Sequence, residues 1–81
     1  MDEKTFGLQI VNTDGIVLNE QVVSLILPAT DGKYGIMKSH ASVIVPLTEG
    51  EVEYVLPSGK RETMHISGGI SVTDGDTKII I

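Results

Sequence analysis

Turn-forming residues cut this chain at short intervals, so the segments between them suit strands rather than long helices. Asp14-Gly15, Glu49-Gly50, Ser58-Gly59, Gly68-Gly69 and Asp74-Gly75 mark such cuts, and Asn19-Glu20 reads as a further break. Turn signals at roughly 8–12 residue spacing belong to a sandwich or barrel. Between the cuts, apolar residues alternate. Phe6, Leu8 and Ile10 alternate with Gly7, Gln9 and Val11. Val43, Val45 and Leu47 alternate with Ser42, Ile44 and Pro46, and Val52, Tyr54 and Leu56 with Glu51, Glu53 and Val55. That period of two is the mark of half-buried strands. No helical periodicity of useful length is present. The predicted fold is all-β, a two-sheet antiparallel sandwich forming one domain over residues 1–81.

Individual residues sharpen this expectation. Ser58-Gly59 predicts a hairpin, and Gly68-Gly69 predicts a bulge or a close backbone approach. Pro46 has no N–H for a ladder, which puts its strand at an edge or at a bulge. A strand over residues 22–27 should stop at Pro28. After it, residues 27–41 read as a shaped loop between strands, with Gly32 and Gly35 supplying unusual backbone angles. A loop of defined shape on a small rigid domain is a natural contact surface. Ile79-Ile80-Ile81 ends the chain inside a strand, which predicts a centrally paired strand or a longer natural chain.

Composition narrows the function. A chain of 81 residues buries only roughly 60–65% of its unfolded surface, so its core is thin. The net charge of −5, with six scattered Lys and Arg residues, argues against nucleic acid, whose phosphates call for clustered cations. Without cysteine, neither a disulfide scaffold nor a thiolate metal site can form. The polar start Met1-Asp2-Glu3-Lys4 carries no secretory signal, and no apolar run reaches the ~20 residues of a membrane helix. No direct membrane insertion is expected.

Catalytic patterns fare poorly. Gly32-Lys33-Tyr34-Gly35 lacks the Ser or Thr and the following helix of a phosphate loop. His40 and His65 are the only histidines, and no metal-ligand spacing surrounds them. His65 reads as an outward, satisfied strand residue, and His40 as a loop residue or partner contact. Ser39, Ser67 and Ser71 sit in no nucleophile elbow. Asp74-Gly75-Asp76 is a hairpin turn rather than a calcium loop. Glu51 and Glu53 share one solvated strand face. Neither an enzyme nor a cofactor or metal site is expected. The apolar surplus is more telling. Val22, Val23, Leu25, Ile26 and Leu27, like Val43, Ile44 and Val45, put hydrophobes on both faces of their strands. An apolar strip left uncovered on so small a domain marks a protein–protein site.

In order and spacing, Leu27-Pro28, Asp31-Gly32, Gly35-Ile36, His40-Ala41, Leu47 and Gly50, then Ser67-Gly68-Gly69 and Val72, resemble the N-terminal β-sandwich domain of the epsilon subunit of bacterial F-type ATP synthase. The likeness begins at Thr5-Phe6 and runs through nearly the whole chain. It implies a non-catalytic central-stalk subunit that couples ion translocation to ATP synthesis or hydrolysis. The implied partners are the gamma subunit and the polar loops of the c-ring, at the cytoplasmic face of the bacterial plasma membrane. By position, Asn12, His40, Ala41, Ile44 and Val45 are implied to meet gamma. Asp31, Lys33 and Tyr34 are implied to face the ring. Lys38-Ser39 and Ser42 replace prolines and a glycine of the family pattern, and Lys33 replaces an acid, implying acidic residues on the opposing ring loops. The family's C-terminal helical hairpin, with its nucleotide site, is not expected in this chain. A free-standing β-sandwich adaptor with another partner, or a small hydrolase using His40, are the alternatives the residues leave open.

Overall fold

A computed structural model describes residues 5–38 and 41–81. Within them run β1 (Phe6–Asn12), β2 (Gly15–Val22), β3 (Ser24–Ala29), β4 (Gly32–Met37), β5 (Val43–Leu47), β6 (Gly50–Val55), β7 (Arg61–Ile66), β8 (Gly69–Asp74) and β9 (Asp76–Ile80). Hydrogen bonding follows the path β2-β1-β9-β8-β5-β3-β6-β7, with β4 on the other edge of β3. The β5–β3 link is the single pair Ala29↔Leu47. There the sheet folds over into two layers, one of β2-β1-β9-β8-β5 and one of β4-β3-β6-β7. The all-β sandwich is therefore as expected, built from one sheet that turns a corner.

Alternation fills the space between the layers. Phe6, Leu8, Ile10, Val22, Val45, Leu47 and Ile79 point in from one layer; Leu25, Leu27, Ile36, Val52, Tyr54 and Ile66 meet them from the other. Fully burying each such aliphatic or aromatic side chain is worth about 1.5–3 kcal/mol. All pairings are antiparallel except β1 with β9, which is parallel. The parallel pair arises because the chain's last strand inserts between β1 and β8. Ile79-Ile80 thus lies in a central strand, with Ile81 N bonded to the Val11 carbonyl at 2.9 Å.

Several sequence expectations change. Residues 27–38 are mostly strand, not loop. β3 runs through Pro28 to Ala29, and β4 returns antiparallel beside it from Ala29↔Gly32 to Ser24↔Met37. Pro28 is tolerated because it lies between the β6 ladder, paired as far as Ile26, and the lone β5 pair at Ala29. Its carbonyl still accepts from Thr48 N at 2.9 Å. Of the two glycines, Gly32 has positive φ (129°), while Gly35 does not. Asn19-Glu20 does not break β2, since an exposed strand at the end of the sheet accepts polar side chains while its backbone pairs with β1. The run at 22–27 is two strands. Val22 ends one layer, Val23 bends, and Ser24 begins the other, so its double-faced hydrophobicity serves two layers. Pro46 behaves as expected, because β5 pairs along its length only with β8.

Candidate functional site

The outer surfaces of the two layers differ in chemistry. On β3, β4, β6 and β7 the outward residues are largely polar. Lys33 Nζ lies 3.2 Å from Glu53 Oε2. His65 Nδ1 lies 2.9 Å from Glu51 Oε2, and its Nε2 3.3 Å from Glu49 Oε2. The carboxylates, led by the Glu51 hydrogen bond, raise the His65 pKa above its ordinary 6.5.

The other layer carries the apolar surplus outside. Five residues form a row of direct cross-strand neighbours: Pro46↔Ile70, Ile70↔Ile80, Ile80↔Val11 and Val11↔Ile16. Five strands at about 4.8 Å spacing make this row roughly 19 Å long. Beside it, Ile44 stands opposite Val72. Ile44 is 64% exposed and Ile16 61%. A β-bulge ends the row. Register shifts between Ile10 and Val11, so Ile16 and Val17 both oppose Val11, and both are exposed. Such a bulge re-aims side chains. Next to the row lies a shallow groove of mixed lining, where the polar side chains of Gln9, Asn19, Gln21 and Lys78 stand beside Leu8 and Val72. One outer face is thus greasy on one side and hydrogen-bonding on the other. That combination suits a protein partner.

The inner side of the same strands explains the arrangement. In β8, Ile70 and Val72 point outward while Ser71 and Thr73 are buried. The Thr73 and Thr77 hydroxyls satisfy one another at 3.0 Å, whereas the buried Ser71 hydroxyl has no hydrogen-bond partner among the described residues. Placing hydroxyls in the core and isoleucine on the surface costs stability.

The residues singled out from sequence divide among several places. Ile44 stands on the apolar face. Its neighbour Val45 is in the core at 5% exposure, so it supports Ile44 from below and its side chain does not reach the surface. Ala41 is exposed in the segment crossing from β4 to β5. His40 lies outside the described residues. Asn12 ends β1, where its Oδ1 accepts from Asp14 N at 2.8 Å and shapes the β1–β2 turn. Asp31 is exposed in the β3–β4 turn, with Lys33 just beyond it. Tyr34 is half-buried opposite Leu27 and packs on the core. Sequence reasoning missed Val11, Ile16, Ile70 and Ile80. The available signal was the inverted polarity of Ile70-Ser71-Val72-Thr73, but alternation alone does not tell which face is inside. The described residues contain no group of three His, Asp or Glu side chains placed to hold a metal ion.

Residues 5–81 match the family described as the ATP synthase delta/epsilon chain, β-sandwich domain. The ATP synthase epsilon chain of Syntrophomonas wolfei is 33% identical over 81 residues, which covers 99% of this chain and 59% of that one. The ATP synthase epsilon chain of Chlorobium limicola is 32% identical over 79 residues, covering 98% and 90%. This chain therefore spans less than two thirds of the first relative and most of the second. Among solved structures, a chain of the Euglena gracilis mitochondrial ATP synthase (OSCP/F1/c-ring) shares the fold with TM-score 0.87 at 23% identity, over 99% of this chain and 51% of that one.

Proposed function

From the premise that the chain belongs to the β-sandwich domain family of ATP synthase delta and epsilon chains, we propose that it is a non-catalytic rotor component whose apolar outer face grips the gamma subunit. The observation that carries this reading is the unbroken row Pro46, Ile70, Ile80, Val11 and Ile16, flanked by Ile44 and Val72. Seven apolar residues on one face exceed what a free domain of this size gains by exposing them. A protein partner removes them from water. Ala41 and Ile44 lie at and beside this face, and His40 belongs with them by sequence. Asn12 shapes the turn that carries Ile16 and acts on the contact through it.

The opposite end of the β3–β4 hairpin is the ring-facing part in this reading. Asp31 and Lys33 project there, and Tyr34 stiffens the hairpin from within. Lys33 is paired with Glu53 of this chain, so its ammonium does not call for an acid on the ring loops. Peripheral attachment through these partners, at the cytoplasmic face of a bacterial plasma membrane, completes the proposal. No helix among the described residues is long and apolar enough to cross a membrane. Coupling then means transmitting torque through a stiff, closely packed body, while chemistry takes place on other subunits.

Gel filtration tests the reading. The chain mixed with the gamma subunit of its own host should co-elute as one complex. Separate elution at micromolar concentration contradicts the proposed role.

A further inference from the structure

His65 of β7 is the cross-strand partner of Glu51 on β6, yet its ring reaches further than that pair. Nδ1 meets Glu51 Oε2 at 2.9 Å. Nε2 meets Glu49 Oε2, in the β5–β6 turn, at 3.3 Å. One imidazole therefore joins a strand and a turn. A neutral imidazole has a single N–H and a single ring lone pair. It donates to one carboxylate and turns its lone pair toward the other. Only the imidazolium donates to both. We propose that His65 is a proton-operated clasp, fastening the β5–β6 turn to β7 while its ring is charged and freeing the turn when the ring is neutral.

The surrounding charges agree. Glu51 and Glu49 act on the ring from β6 and from the turn, and both favour its charged form. Arg61 and Glu62 lie at the far end of β7, β3 carries no titratable side chain, and Lys33 of β4 is engaged by Glu53. The folded-state pKa of His65 is raised, so the sign is definite. The clasp and its contribution to stability are fully present below about pH 6.5, the unfolded value, and are lost as pH rises through the higher folded value. The longer contact, to Glu49, is the one a neutral ring gives up.

Release of the turn bears on its neighbours. Thr48 N donates to the Pro28 carbonyl at 2.9 Å. Gly50 sits so close to the Pro28 ring that a Cβ there would stand 2.8 Å from it. The turn thereby props the tip end of the β3–β4 hairpin, where Pro28 pairs with Lys33 and Asp31 stands in the turn. The clasp concerns the isolated chain, so it stands or falls apart from the choice of partner.

Proton NMR on the full chain tests it. The His65 ring signals, identified by their loss in His65→Gln, should titrate with a midpoint above 6.5. Glu51→Gln should move that midpoint down toward 6.5, and Glu49→Gln should move it down by less. After correction for intrinsic exchange, the Glu49 and Gly50 amides should be better protected below the midpoint than above it. Glu49→Gln should abolish that difference. A midpoint at or below 6.5, a midpoint moved by neither substitution, or amide protection indifferent to the titration would each overturn the clasp.

Discussion

Gly69 shows how one residue can be tied to the architecture around it. Its φ of 143° is in the region side chains avoid, and a Cβ there would overlap the carbonyl oxygen of Ile80. The close backbone approach read from Gly68-Gly69 is therefore real, and it joins β8 to the central β9. Gly69→Ala should lower the free energy of unfolding by at least ~2 kcal/mol in urea denaturation. Gly35→Ala should change it by less than ~1 kcal/mol, because Gly35 lacks positive φ and has open space where a Cβ would stand. Equal effects at the two sites would contradict this assignment. The glycine pair at 32 and 35 looked alike in sequence, since composition does not reveal which of two glycines sits at a turn and which within a strand.

At the scale of elements, strands and turns were legible where alternation and turn chemistry agreed, as in β1, β6 and the Ser58-Gly59 hairpin. They were obscured where one apolar run served two layers, as at Val22 and Leu25, and where a proline lay between two ladders, as at Pro28. The candidate face was the least legible part. β8 follows the two-residue period, but with hydroxyls inward and isoleucine outward, so its period is legible in the sequence and its face is not. The buried Thr73–Thr77 pair makes the inversion tolerable. Thr73→Val should destabilise the β8–β9 hairpin by about 1–3 kcal/mol, because it strands the Thr77 hydroxyl. Thr73→Val combined with Thr77→Val should recover most of that loss. A double variant whose thermal denaturation shows the summed loss of both single variants would exclude the pair as a unit.

For the whole molecule, the two outer faces divide the labour. One carries ion pairs and keeps an acidic chain of net charge −5 comfortable in water. The other holds a row of aliphatic side chains that makes sense only when covered. The central claim is that this row, not exposed hydrophobicity in general, binds the gamma subunit. Met37 provides the control, being as exposed as Ile44 at 64% but on β4, on the opposite layer. The decisive measurement is calorimetric affinity for the host gamma subunit of Ile44→Asp, Ile80→Asp and Met37→Asp, each first shown to remain folded. The first two should weaken binding by about 2 kcal/mol or more, roughly 30-fold, while Met37→Asp leaves it unchanged. Unaltered affinity in Ile44→Asp and Ile80→Asp, or a loss in Met37→Asp that matches theirs, would contradict the account.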